Sequence, residues 1–124
     1  MSLRSDISAV LSDRLPDYLV MPYLRELDNS TKPVVMTHRK QLTQTERHAQ
    51  LDHELPVHVL VPESFGEEAE DAADEALEAV LRVLQLIEDM DWTQAERANY
   101  SNFIGWEITL TASTKNYLLP EKEQ

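Results

Sequence analysis

Histidines are the residues most able to do chemistry in this sequence, and all four fall in one stretch: His38, His48, His53 and His58. Asp52 and Glu54 lie among them, and imidazole and carboxylate groups together can bind zinc. His53 and His58, however, are an odd number of positions apart, so they point to opposite faces of a regular strand. The pattern therefore predicts ordinary strand or surface histidines and no metal site.

Carboxylate pairs are the second candidate for chemistry. Glu67 and Asp71 are four positions apart, as are Asp71 and Glu75, so each pair would share one face of a helix. That face carries mostly charged residues, and carboxylates on an exposed helix face are normally solvated rather than catalytic. Serine, histidine and aspartate are present, but no nucleophile elbow surrounds any serine. We therefore predict that the chain is not an enzyme.

Scarce residue types exclude further classes of site. The sequence has no cysteine, which excludes disulfides, thiolate nucleophiles and cysteine-bound zinc. Gly66 and Gly105 are its two glycines, and they are too far apart to build a phosphate-binding loop. We expect no cofactor.

Length and charge limit the class of protein. The chain has 124 residues, which fits one domain over residues 1–124. Its 11 basic and 23 acidic residues give a net charge of -12, which disfavours specific nucleic-acid binding because phosphates attract basic surfaces. Neither a membrane span nor a secretory signal is recognisable. The expected product is soluble and intracellular.

Hydrophobic periodicity predicts an α+β fold with a mostly antiparallel sheet and both helices packed on one face. Ser64 followed by Glu67 resembles a capping box at the start of the second helix. The second and third strands form an extended hairpin with a polar tip, and residues 115–124 form a flexible C-terminal tail. The predicted helices cover residues 3–15 and 64–89, and the predicted strands cover residues 18–23, 34–42, 51–61, 92–99 and 104–113.

Charge is distributed unevenly. Residues 63–91 contain 11 acids and one base, whereas residues 32–48 contain four bases and one acid. The simple interpretation of the acidic stretch is a solvated helix face. The alternative hypothesis is that the two stretches meet head to tail between copies, as subunits of a ring do. The candidate interface residues are Lys32, Arg39, Lys40, Arg47, Glu67, Glu70, Asp71, Asp74 and Glu78.

Several short segments, through their residues and their order, resemble segments of a known protein family, and together they span nearly the whole chain. An N-terminal Ser2-Leu3-Arg4-Ser5-Asp6 helix precedes Leu27-Asp28-Asn29 and Lys32-Pro33-Val34-Val35-Met36. An extended hairpin then leads into Pro62-Glu63, an acidic helix over residues 69–77, Trp92-Thr93-Gln94-Ala95-Glu96-Arg97 and a strand around Trp106. In this arrangement the sequence resembles the tail terminator proteins of long-tailed bacteriophages, in particular those that infect actinobacteria.

The resemblance implies a structural virion protein without catalytic residues. Such proteins form a hexameric ring that caps the head-proximal end of the tail tube, ends tube polymerisation and connects the tail to the neck. The implied partners are further copies of the chain, the tail tube protein and a neck or head-completion protein. Genomic DNA passes through the lumen without specific binding, and no membrane is involved. The implied location is the tail–neck junction of the virion, after synthesis in the host cytoplasm.

Three other hypotheses remain open from the sequence. The chain could be another neck, head-completion or tail-tube protein of a phage. It could be a small α+β enzyme or ligand-binding domain, which would need a concave pocket with convergent polar groups. It could also be an inhibitor that imitates DNA with its acidic helix and binds a basic protein.

Overall fold

The structure, a computed structural model, describes residues 3–24, 32–45, 49–62, 66–100 and 103–118. It confirms the predicted α+β class, with two helices and a six-stranded, mostly antiparallel sheet. The candidate residue Arg47, His48, Ser64 and residues 119–124 of the predicted tail lie outside the described residues. The elements are α1 (Leu3–Arg14), β1 (Leu19–Met21), β2 (Val34–Thr37), β3 (Gln41–Gln44), β4 (Gln50–Val61), α2 (Glu67–Leu84), β5 (Met90–Tyr100) and β6 (Phe103–Lys115).

The sheet is ordered β1-β2-β4-β6-β5, with β3 paired to β4 beyond the end of β2. β1 runs parallel to β2, and the other pairings are antiparallel. Pro22, directly after β1, predicts an edge position for this strand, and β1 does form one edge of the sheet. β5 forms the opposite edge.

The centre of the sheet is the pairing of β4 with β6, which continues from Gln50 opposite Lys115 to Val61 opposite Ile104. In β4, alternate residues from Leu55 to Val61 turn towards the helices. This is the period of two that the sequence predicts for a strand buried on one face. Because both strands have neighbours on each side, their backbone groups are shielded from water along most of their length.

Both helices pack on the same face of the sheet. Ile7 and Leu11 of α1 are fully buried there, and α2 contributes a stripe of small and branched residues at helical spacing. The alanines of this stripe let α2 approach the sheet closely, because they project little from the helix. The α2 residues of the core are Ala69, Ala73, Ala76, Val80, Val83 and Leu84.

The other face of the sheet has two parts. Near β1 and β2 it holds a second buried cluster, made of Met21, Val34, Met36, Leu60 and Phe103. The remaining part is polar. Its side chains come from four strands, and they are Gln41, Thr43, Asp52, Glu54, Gln94, Glu96, Glu107, Thr109, Thr111 and Ser113.

The strand predicted over residues 34–42 is divided in two, so the prediction of a continuous strand was wrong. β2 ends at Thr37 opposite Val57, and β3 begins at Gln41 opposite Glu54. The intervening segment has one residue more than the part of β4 that it faces, so this edge contains a β-bulge.

Pro56 gives the physical reason for the division. The Lys40 amide donates to the Glu54 carbonyl at 2.9 Å, so Glu54 turns its backbone polar groups towards this edge. Alternate residues of a strand face the same neighbour, and Pro56 therefore faces it too. Proline has no N–H to donate, so regular pairing stops at this position.

The boundaries of α2 also differ from those predicted. Gly66 occupies the N-cap position with no side-chain cap, so the predicted capping box of Ser64 and Glu67 was wrong. Gly66 has a φ of 112°, which a glycine adopts without strain. The C-terminus predicted near Asp89 was wrong as well, because α2 ends at Leu84. Asp89 has a left-handed φ of 65°, which turns the chain into β5.

Gly105 is required by the central pairing. A Cβ atom at this position would lie 1.8 Å from the carbonyl oxygen of Val59, a backbone atom of the neighbouring strand. We predict that Gly105→Ala lowers the free energy of unfolding by about 3 kcal/mol or more, since β4 and β6 must separate locally. Thermal and urea unfolding monitored by circular dichroism measure the change.

Thr109→Ala, in the same strand at a half-exposed position, is the matched control and should cost no more than about 1 kcal/mol. Equal stability of Gly105→Ala and wild type would contradict the close approach of the two backbones.

Candidate functional site

The acidic face of the protein lies on α2 and consists of seven carboxylates. All are exposed, so the part of the predicted interface that lies on α2 is accessible to a partner. Those in the first turn are additionally stabilised by the positive end of the helix dipole. The seven are Glu67, Glu68, Glu70, Asp71, Asp74, Glu75 and Glu78.

Arg97 of β5 is paired with this acidic face inside the chain. Its guanidinium donates two hydrogen bonds to the Glu70 carboxylate, one of them from Nη1 to Oε1 at 2.8 Å. These bonds lower the pKa of Glu70, and they raise the pKa of Arg97. Two candidate interface residues therefore already have a partner, because Glu78 also lies 3.6 Å from Arg82.

The basic segment consists of Lys32, Arg39, Lys40 and Arg47, of which the first three are described and exposed. The Lys40 ammonium lies 3.4 Å from the Glu54 carboxylate across the β3–β4 hairpin. Arg39 lies in the β-bulge, and its Nη1 donates to the hydroxyl of Tyr117 at 3.3 Å. Arg39 and Lys40 thus lie on the β2 and β3 side of the sheet.

Arg39 and Lys40 of the basic segment lie away from the acidic face. α2 packs on β4, β6 and β5, whereas Arg39 and Lys40 follow β2 at the other side of the sheet. Lys40 is paired with Glu54, and Glu70 and Glu78 of the acidic face are paired with Arg97 and Arg82. The acidic face, Arg39 and Lys40 are all exposed.

A cleft of about 830 Å³ opens beside the basic segment. Arg4 of α1, Arg39 of the bulge, His53 of β4 and Thr114 of β6 line it together with Tyr117. These residues come from distant parts of the sequence, and they meet because α1 covers the end of the sheet where β4 pairs with the end of β6. The cleft thus has the convergent polar groups that a ligand-binding domain needs.

His53 is the most buried polar group of the cleft, with 3 % of its surface exposed. Its Nε2 lies 2.9 Å from the Thr114 hydroxyl, and its ring stacks on that of Tyr117. Nδ1 is buried and has no hydrogen-bond partner among the described residues. Burial lowers the pKa of His53, and the positive charge of Arg39 lowers it further against a smaller opposing effect of Asp52.

Among the described histidines, His38 and His53 both line the cleft, whereas His58 does not. His58 stacks on His38 with ring centroids 5.6 Å apart, whereas His53 lies on the opposite face of β4, towards the helices. Burial lowers the pKa of His58. Within the described ranges, no group of three or more histidine, aspartate or glutamate side chains could hold a metal ion. Neither described helix is long and apolar enough to cross a membrane.

Sequence reasoning missed both the Arg97–Glu70 pair and the cleft. The strand that contains Arg97 was predicted, but its position beside the first turns of α2 depends on sheet order. The cleft depends on α1 packing over the end of β4, which periodicity does not specify. The clustering of histidines beside Arg39 was a signal, although we interpreted it only in terms of metal binding.

Comparison with protein-family models gave no match, and comparison with curated protein sequences gave none either.

We predict that the Arg97–Glu70 pair gives α2 a stability that depends on pH. The pKa of Glu70 is lower in the folded protein than in the unfolded chain, so the stabilisation is complete above the unfolded value. It is lost as the pH falls through the lowered folded value. Glu70→Gln should therefore reduce the unfolding temperature at pH 7, and its difference from wild type should vanish in strong acid.

Glu68→Gln removes a neighbouring exposed carboxylate of α2 and is the matched control. Unfolding temperatures of the three proteins, measured by circular dichroism from pH 7 to pH 2, test the prediction. If the unfolding temperatures of the two variants change with pH in the same way, the pair adds nothing to stability, which is common for exposed ion pairs.

Proposed function

We propose that the chain is a structural subunit that forms a ring, most specifically the tail terminator ring of a long-tailed phage. The observation that carries the proposal is the separation of two exposed surfaces of opposite charge. The acidic face lies on α2, and Arg39 and Lys40 of the basic segment lie on the other side of the sheet. A contact between these different surfaces is heterologous, and heterologous contacts close into rings when the rotation between copies allows it.

Exposed apolar residues at the two edges of the sheet support a lateral contact. Leu19 and Tyr23 are 41 % and 48 % exposed at the β1 edge. Leu86 and Trp92 are 59 % and 36 % exposed beside the β5 edge. Large apolar side chains at both edges are suited to the buried centre of a subunit interface, with the charged surfaces around them.

The polar part of the uncovered sheet face is suited to a channel for DNA. It carries the carboxylates of Asp52, Glu54, Glu96 and Glu107 among hydroxyl and amide groups. Carboxylates repel phosphates, so DNA can slide past such a surface without binding. We propose that this face lines the lumen, while the acidic face of α2 is turned towards the neighbouring subunit.

The remaining features of the proposal follow the resemblance to tail terminators. The ring is hexameric, it contacts the tail tube protein on one side and a neck protein on the other, and it is located at the tail–neck junction. Its role is structural rather than enzymatic, and it needs no cofactor. Another neck, head-completion or tube protein would share these surfaces, but deletion of its gene would leave different particles.

Deletion of the gene from its phage tests the terminator role directly. We predict filled heads without attached tails, together with tails of irregular and excessive length, because nothing ends polymerisation of the tube. Electron microscopy of negatively stained lysates measures both. Tails of normal length on intact particles would contradict the role, and a complete absence of tails would indicate a tube or earlier assembly protein.

The charge arrangement predicts a rescue experiment. Arg39→Glu with Arg47→Glu should prevent ring formation, as should Glu67→Lys with Asp71→Lys, because each double variant brings like charges together. The four substitutions combined should restore rings. Size-exclusion chromatography with light scattering at low salt measures the assembly state.

Arg14→Glu with Lys115→Glu changes the net charge by the same amount as the first variant and is its control. Both side chains are exposed, and neither belongs to the acidic face or to the basic segment. Loss of rings in this control, or failure of the combined variant to recover them, would contradict a contact between the acidic face and the basic segment.

A further inference from the structure

The cleft beside α1 concentrates positive charge in an acidic chain. Arg4 and Arg39 both line it, and its described lining residues include no carboxylate. Each guanidinium is oriented by a hydrogen bond within the protein. Arg4 Nη1 donates to the Pro22 carbonyl at 3.1 Å, and Arg39 Nη1 donates to the Tyr117 hydroxyl at 3.3 Å. Arginine carries five N–H donors in a fixed plane, which suits recognition of carboxylate and phosphate groups.

His53 adds a polar atom at the wall of the cleft. The side chain is more than nine-tenths buried, and Nδ1 has no partner among the described residues although Nε2 is engaged by Thr114. A buried polar nitrogen without a partner is unfavourable. Nδ1 is itself closed to solvent, so an anion beside Arg4 and Arg39 would act on the imidazole through its negative charge.

The cleft also has an apolar wall. Leu3 and Leu55 line it, and the Tyr117 ring lies 6.4 Å from the His53 ring. Its volume of about 830 Å³ is larger than a bare ion requires and is typical of small-molecule sites. From this combination we propose that the cleft binds a small organic anion, in which a carboxylate or phosphate group is joined to an apolar body.

This binding site does not depend on the proposed ring. The cleft is complete within one chain, so a monomer that fails to assemble should still bind. Arg39 borders both the cleft and the proposed charge contact. Binding is therefore measured at a protein concentration where the chain is monomeric, as established by light scattering.

Phenyl phosphate is the probe, and isothermal titration calorimetry measures its binding at constant ionic strength. Inorganic phosphate, which lacks the apolar body, should bind at least about tenfold more weakly, since a phenyl ring against Leu3 and the exposed ring of Tyr117 buries apolar area. Benzylamine has a similar ring with a positive charge and should not bind. Equal binding of benzylamine and phenyl phosphate would overturn the proposal. Absence of phenyl phosphate binding at 10 mM would also overturn it, because this is roughly the weakest affinity that one charged contact and a ring provide.

Arg4→Gln with Arg39→Gln should weaken phenyl phosphate binding at least about tenfold, because two charge-assisted contacts are lost. Arg14→Gln with Arg82→Gln is the matched control, since it removes the same charge and also takes one residue from α1. It should leave the affinity within about twofold. Equal weakening in both double variants would mean non-specific attraction to positive charge and would overturn the proposal.

Nuclear magnetic resonance of the wild-type protein gives a test that no substitution can confound. Without ligand, the pKa of His53 is below its ordinary value because of burial and Arg39, with Asp52 acting in the opposite direction. A bound anion should raise the pKa of His53, and the amide resonances of Leu55 and Thr114 should shift as phenyl phosphate is added. Shifts confined to other parts of the protein, with the His53 titration unchanged, would overturn the proposal.

Discussion

The antiparallel pairing of β4 with β6 is the interaction on which the rest of the structure depends. Its register decides which residues face the helices and which face the uncovered side, because a shift by one residue exchanges the two faces of a strand. β2 and β3 join the sheet through β4, and β5 joins it through β6. Both helices then bury their apolar residues against the face that this pairing creates. At Gly105 any side chain would collide with the backbone of β4.

The same topology separates the charges. α2 packs on β4, β6 and β5, and Arg97 of β5 partly compensates its carboxylates. The basic residues follow β2 at the other side, where Arg39 borders the cleft and Lys40 contacts Glu54. Arg97 and Lys40 each have an anionic partner, whereas Arg39 borders a cleft with no carboxylate among its described lining residues.

The fold class was predictable because it follows from residue periodicity. Apolar and polar residues alternate in β4 and β6, which indicates strands buried on one face. The apolar stripe of α2 indicates a helix packed on one side. Element boundaries were less predictable where two signals competed. Ile87 continues the apolar spacing of α2 although the helix ends at Leu84, and Ser64 resembles a capping residue although Gly66 holds that position. The cleft could not be predicted, because its residues meet only through the packing of α1 on the sheet.

Pro56 has a consequence for how the protein opens. By removing one amide donor from the middle of β4, it divides the pairing along that edge into a β2 section and a β3 section. Hydrogen bonds in a continuous ladder break cooperatively, whereas two short ladders separated by a gap can open one at a time. We therefore expect the amide protons of β3 to exchange with solvent sooner than those of β2. A single proline thus divides this edge of the sheet into two separately paired sections.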